Sequence, residues 1–274
     1  MKSLFKSSLV HLLFLAFSLQ CVAQTPMEGY LFAYFEGSGA DQEAIRFAVS
    51  DDATHWKALN QNNPIIPSAA ISNTGGVRDP HLLRGAEDDG FYMVATDMFT
   101  KKDGWDTNPG IVLMHSDDLI TWQSTAINLE KSYPKFKNTK WVWAPQSFYD
   151  TKKKKSLVYF TVRARDNLKL DFYAAYANKD FTGFEAEPKL LYSAKDGAID
   201  GDIIYKDGIY HLFYKGNTKD AAGKEIQNGI KQATSKKLLG PYTESFEYID
   251  FYADKKTTVE GSSVFKLNDK DEYI

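Results

Sequence analysis

Apolar and polar positions alternate along most of this chain in short runs, not at helical spacing. Runs rich in Val, Ile, Tyr, Phe and Thr occupy Tyr30 to Phe35, Phe91 to Thr96, Ile111 to His115, Leu157 to Val162, Phe172 to Tyr176 and Tyr210 to Tyr214. Gly, Asp, Asn and Lys clusters bound most of them, and runs bounded in this way predict strands. Outside the N-terminal region no stretch keeps apolar residues at i, i+3, i+4 and i+7 over three turns, so the chain reads as all-β with little helix. Asp89-Gly90 and Asp207-Gly208 fall between such runs and predict tight hairpins.

Two phrases recur through this pattern. One places Val77-Arg78-Asp79-Pro80, Trp143-Ala144-Pro145-Gln146, Ile199-Asp200-Gly201-Asp202 and Val259-Glu260-Gly261-Ser262 in order along the chain. Asp79 and Pro145 lie 66 positions apart, Pro145 and Gly201 56, and Asp200 and Glu260 60. The other phrase is an apolar strand, a polar turn and an aromatic residue: Phe47-Ala48-Val49-Ser50-Asp51 leads to Trp56, Leu113-Met114-His115-Ser116-Asp117 to Trp122, Tyr176-Ala177-Asn178-Lys179-Asp180 to Phe184, and Ala233-Thr234-Ser235 to Tyr242. A period of this length suits a four-stranded propeller blade with long loops. Each unit then reads as an inner strand opening at the first phrase, a hairpin, a middle strand, and a third strand whose aromatic closes over the next blade. Trp56 precedes Asp79, so the N-terminal strands are expected in a blade whose inner strands lie elsewhere, with N- and C-terminal strands pairing to close the ring. The chain stops at Ile274, soon after Glu260, so the last blades are expected to be incomplete.

Composition changes this picture at the N-terminus. Lys2 and Lys6 precede a nearly unbroken apolar stretch, Leu9 to Leu19, and Cys21-Val22-Ala23 supplies a small residue for cleavage. Residues 1–24 therefore read as a signal peptide too short to span a membrane, which predicts export to the periplasm or the exterior. A lipoprotein reading of Cys21 is weaker, since Gln20 stands where a small residue is wanted. Cys21 is the only cysteine, so no disulfide staples residues 25–274. A net charge of −3 with both signs interspersed offers no basic field for nucleic acid, and aromatic content of 14% suits sheets. Lys152 to Lys155 reads as a solvated hairpin turn.

Inner strands run alike in every blade of a propeller, so Asp79, Asp200 and Glu260 are expected to face one central channel. Two or three carboxyl groups around a pocket suit glycosidic-bond hydrolysis, in which one group donates a proton to the leaving oxygen and another activates water. Mutual repulsion and burial can separate their pKa values. His81, His115 and His211 form no metal-ligand spacing with one another or with Cys or Glu, and no metal site is assigned.

The ordered motifs Arg78-Asp79-Pro80-His81, Trp143-Ala144-Pro145, Ile199-Asp200 followed by Ile203-Ile204-Tyr205, and Val259-Glu260-Gly261 resemble those of glycoside hydrolase family 43, from about Gly29 to the C-terminus. The resemblance implies a five-bladed β-propeller over residues 25–274, incomplete at its C-terminal end. It implies inverting hydrolysis of α-L-arabinofuranosyl, β-D-xylosyl or related galactosyl bonds in plant oligosaccharides or polysaccharides, with Asp79 as general base, Glu260 as general acid and Asp200 tuning and orienting the acid. Gly201 stands where the family has Pro, and Asp202 is a rival for the tuning role. Trp143, Arg163 and Arg78 are the expected sugar contacts, with a packing role for Trp143 and a surface ion pair for Arg163 as the alternatives. No cofactor is required by the resemblance, which leaves open a structural calcium ion in the channel. A carbohydrate-binding propeller without turnover, or a protein-interaction scaffold, are the rival functions.

Overall fold

The computed structural model of the chain describes residues 29–39, 41–86, 89–219, 225–249, 259–268 and 270–274. The expected signal peptide, 1–24, lies outside them. Among the described residues the strands form four antiparallel sheets. Sheet I holds β1 (Tyr30–Tyr34), β2 (Arg46–Ser50) and β3 (Lys57–Ala58). Sheet II holds β4 (Val77–Arg84), β5 (Phe91–Asp97), β6 (Gly110–Ser116) and β7 (Gln123–Asn128). Sheet III holds β8 (Thr139–Asp150), β9 (Lys155–Ala164), β10 (Asp171–Tyr176) and β11 (Lys189–Tyr192). Sheet IV holds β12 (Ile199–Lys206), β13 (Ile209–Lys219), β14 (Glu225–Ser235) and β15 (Thr243–Ile249). Helix is confined to single turns such as Thr100–Asp103, and no helix among the described residues is long and apolar enough to cross a membrane.

The architecture is an all-β propeller, and among the described residues it has four sheets where five blades are expected from sequence. The first strands of the sheets stand side by side, β1 against β4, β4 against β8 and β8 against β12, and so form the inner wall. Sheet I thus has its own inner strand, contrary to the expectation that its inner strands lie elsewhere. Residues 265–267 pair with 272–274 beside it. Phe265 and Ile274 exchange backbone hydrogen bonds of 3.1 Å, Asn268 donates its backbone N–H to the Tyr30 hydroxyl at 2.7 Å, and Phe265 packs on Tyr30 with ring centroids 5.7 Å apart. These are side-chain contacts, not the strand pairing expected to close a ring.

Side-chain alternation builds the layers. In β5, Met93 and Ala95 join the core between sheets I and II, while Val94 between them points into the core between sheets II and III. Strands covered on both faces read as unbroken apolar runs, which is why Met93-Val94-Ala95 and Leu157-Val158-Tyr159-Phe160 carry no polar residue. Three of the four recurring aromatics seal the seams, with one correction: they pack against the preceding sheet, not the next. Trp122 of sheet II meets Phe47 of β2 at 6.3 Å, Phe184 of sheet III meets Tyr133 at the end of sheet II at 6.2 Å, and Tyr242 of sheet IV meets Tyr192 of β11 at 6.2 Å. Trp56 of sheet I packs on Phe32 of its own β1, and both residues are over one-third exposed.

Candidate active site

The first recurring phrase marks one backbone device used three times. Strand register skips two residues at Asp79-Pro80 in β4, at Ala144-Pro145 in β8 and at Asp200-Gly201 in β12. The first residue of each skip is left-handed, with φ of 51° at Asp79, 47° at Ala144 and 53° at Asp200. Such irregularities re-aim a side chain, and non-glycine residues at positive φ concentrate at functional sites. Pro after Asp79 and Ala144 disfavours the right-handed helical region for the residue before it, which helps to encode the turn. Gly201 replaces Pro for a packing reason. A Cβ there would lie 2.6 Å from the Phe172 ring and 3.1 Å from Leu212. At the fourth copy the left-handed residue is Gly261, with φ of 68°, and Glu260 lies outside any strand.

These turns bring Asp79, Asp200 and Glu260 onto one cavity of about 890 Å³, whose wall also includes Phe35, Arg78, Trp105, Trp143 and Lys215. Burial raises Asp79 above the ordinary carboxylate range, and the charges of Glu260 and Glu43 add to this. A 2.8 Å hydrogen bond from the Thr96 hydroxyl and the charge of Arg78 oppose it and favour the ionised form. Thr96 Oγ1 in turn accepts the backbone N–H of Ala144 at 3.0 Å, which ties sheet II to the left-handed turn of sheet III.

Asp200 is pushed up to about 7, first by burial and then by the Asp79 charge, with Glu260 adding to it; Lys215 and the Gly261 N–H, 3.3 Å away, pull the other way. Asp202 is also raised to about 7 by burial, and it lines the same cavity. Its carboxylate takes the Val264 N–H, which pins the segment carrying Glu260 against β12. Asp200 is the carboxyl that accepts the N–H of Gly261, the residue after Glu260.

The raised Asp200 has a consequence for stability. The folded chain keeps a proton on Asp200 that the unfolded chain loses near pH 3.8, so stability falls as pH rises from about 4 to about 7 and levels off above. Asp200→Asn removes that contribution. Its gain in urea midpoint over the parent chain is expected to grow between pH 4.5 and pH 8, and two parallel midpoint-versus-pH curves would refute this.

Glu260 is the most accessible of the three, its side chain 57% exposed, and its Oε2 is ion-paired with Lys215 Nζ. Lys215 was not identified from the sequence. It stands in β13 across from Ile199, the residue before the Asp200 turn, just as Thr96 stands across from Arg78 and Thr161 across from Trp143. Thr161 reaches the next sheet too, donating to the Ala198 carbonyl at 3.0 Å. Extending the repeat to the second strand would have found all three.

The expected sugar contacts separate. Arg78 and Trp143 line the cavity, whereas Arg163 does not. Its guanidinium lies over the Trp141 ring at 4.3 Å, because Arg163 pairs with Trp141 and not with Trp143 across the β8–β9 ladder. Neither a sugar contact nor a surface ion pair describes it. Among the described residues no group of three or more His, Cys, Asp and Glu could hold a metal ion. His81, on the cavity wall, is lowered to about 4 by burial and takes the Ser147 N–H at 3.2 Å.

Comparison with known proteins identifies the family and the fold. An α-L-arabinofuranosidase of Bifidobacterium longum subsp. longum is 27% identical over 282 residues, which take in 90% of this chain and 26% of that protein. The chain thus spans about a quarter of the length of that curated relative. Among solved structures, a family 43 β-1,3-galactosidase superposes with a TM-score of 0.66 at 13% identity, covering 91% of this chain and 50% of the other. An endo-arabinase from Bacteroides thetaiotaomicron gives 0.61 at 16% identity, covering 87% and 81%. At these identities the structural likeness speaks to the fold alone. Residues 25–274 match the family described as a probable glycosyl hydrolase domain related to family 43, and the chain belongs to that glycoside hydrolase family.

Proposed function

We propose that the chain is an exported inverting glycoside hydrolase that acts on α-L-arabinofuranosyl, β-D-xylosyl or related galactosyl bonds of plant glycans. The observation that carries the reading is the convergence of Asp79, Asp200 and Glu260 on one cavity from three separate turns. In this reading Asp79, supported in its ionised form by Arg78 and Thr96, takes a proton from water on one face of the sugar. Glu260 donates a proton to the leaving oxygen on the other face, as an inverting site requires. Lys215 pairs with Glu260 Oε2 in the free site, so Glu260 has to leave that pair and take up a proton from solvent before it donates to the leaving oxygen. The arabinofuranosidase relative favours arabinofuranosides among the candidate bonds.

The test is a panel of nitrophenyl arabinofuranoside, xyloside and galactoside with the purified chain beside Asp79→Ala and Glu260→Ala. One substrate is expected to be cleaved by the parent chain and not by either variant. Equal rates in all three proteins would remove the catalytic assignment and leave a carbohydrate-binding propeller, the reading that the Lys215–Glu260 pair favours.

Two further proposals accompany this one. Residues 1–24 act as the export signal, which N-terminal sequencing of the exported protein would check. A fifth sheet covers Phe32 and Trp56, by analogy with Trp122, Phe184 and Tyr242, each of which has a preceding sheet to pack on. A solved structure of the longest expressed form, with or without a sheet over those rings, decides that point.

A further inference from the structure

Beside the carboxyl groups the cavity wall carries an assembly that the hydrolytic reading leaves unused. Glu43, in the connection between β1 and β2, has a side chain with no exposure to solvent. Its two oxygens accept the Thr100 backbone N–H at 3.0 and 2.8 Å, and one of them accepts Arg78 Nη1 at 2.9 Å. A buried carboxylate is retained only where its charge is matched and its lone pairs are filled, and Glu43 meets both conditions. The bond fixes the Arg78 guanidinium between two rings, 4.6 Å from the Phe35 centroid and 4.8 Å from that of Trp105.

Trp105 is thereby braced from beneath, yet it is 53% exposed. Its flank is held by Trp143, whose ring meets it edge-on at 6.3 Å and 88°. Its backbone is strapped to β8. Trp141 donates its indole N–H to the Trp105 and Asp106 carbonyls at 3.1 and 2.7 Å, while Asn108 exchanges backbone bonds of 3.0 Å with Lys140 and Val142. A large aromatic ring left half open to solvent on a fixed backbone, at the wall of the cavity, loses little entropy when it binds and offers its face to the C–H surface of a sugar ring.

We propose that Trp105 is the stacking surface for a second sugar unit of the glycan, adjoining the unit held among Asp79, Asp200 and Glu260, and that the buried Glu43–Arg78 pair holds it in place. The inference rests on the hydrolytic reading of the site and deepens it: the ligand is an oligosaccharide or polymer and not a monoglycoside. Arg78 then serves two ends at once, favouring the ionised form of Asp79 and backing the ring that receives the neighbouring sugar.

The experiment compares the parent chain with Trp105→Ala and Glu43→Gln on two substrates of the sugar that the panel identifies. One is a linear trisaccharide; the other is the glycosyl fluoride, whose leaving group has no ring to stack. The ratio of kcat/KM on trisaccharide to kcat/KM on fluoride is expected to fall roughly tenfold in Trp105→Ala and to fall in the same direction in Glu43→Gln. An unchanged ratio would overturn the proposal. Trisaccharide affinity is measured in parallel by calorimetry in the Asp79→Asn background, with and without Trp105→Ala. If the parent chain turns over neither substrate, the hydrolytic reading fails, and this arm still decides the role of Trp105. Weaker binding without the ring supports it, and equal binding or none in both proteins refutes it.

Discussion

Asp79→Asn is expected to lower kcat by roughly 10³-fold on any glycoside the chain cleaves, while the thermal transition stays cooperative. The variant keeps the shape of the side chain and an oxygen for the Thr96 hydroxyl, so the link from Thr96 to the Ala144 N–H survives. What it loses is the group that takes the proton from water. The pH profile of the parent chain carries the same signature. With Asp79 as the proposed base, activity requires its ionised form, and burial raises its pKa, so the acid limb of kcat/KM is expected above the ordinary carboxylate range near 4 and not within it. Removing a buried carboxylate also relieves a desolvation cost, so Asp79→Asn should melt no lower than the parent chain at pH 8. An inactive variant that has also lost its cooperative transition would speak to folding and not chemistry, whereas a well-folded variant with parental kcat would end the assignment of Asp79 as base.

The sequence carries these carboxylates openly because the device that aims them is local. Asp-Pro, Ala-Pro and Asp-Gly pairs each encode a left-handed residue at a two-residue register skip, and such pairs can be read off a single strand. The contacts that tune the carboxylates are a different matter. Thr96 and Lys215 sit on second strands, and their relation to Asp79 and Glu260 exists only across a ladder or between sheets. Glu43 and Trp105 come from connections whose local pattern says only that the chain turns there. Arg163 shows the same limit from the other side. One alternation step along β9 separates Thr161, opposite Trp143, from Arg163, opposite Trp141, and register alone decides which approaches the cavity. Blade count is not legible for a related reason. The repeat fixes the length of a unit, whereas the number of units depends on which faces are covered, and Trp56 looks identical in sequence whether or not a sheet lies over it.

Glu260→Gln is expected to discriminate between leaving groups, and that discrimination, more than the size of the loss, identifies an acid. A sugar alkoxide departs only with a proton, so the variant should lose roughly 10³-fold in kcat on an oligosaccharide. Fluoride departs without a full proton transfer, so the loss on the glycosyl fluoride should be smaller by at least an order of magnitude. Gln keeps the length of the side chain and one oxygen for Lys215, which separates loss of the proton from loss of position. The backbone supports this separation, since the segment is held by bonds that do not involve the Glu260 side chain: Gly261 N–H to Asp200, the Ser262 hydroxyl to the Asp200 carbonyl at 3.4 Å, and Val264 N–H to Asp202. Equal losses on both substrates would mean that Glu260 positions the sugar and another group donates the proton. Asp200, raised to about 7 and thus still partly protonated at neutral pH, would then be the donor nearest to hand, and Asp200→Asn, not Glu260→Gln, would show the leaving-group dependence.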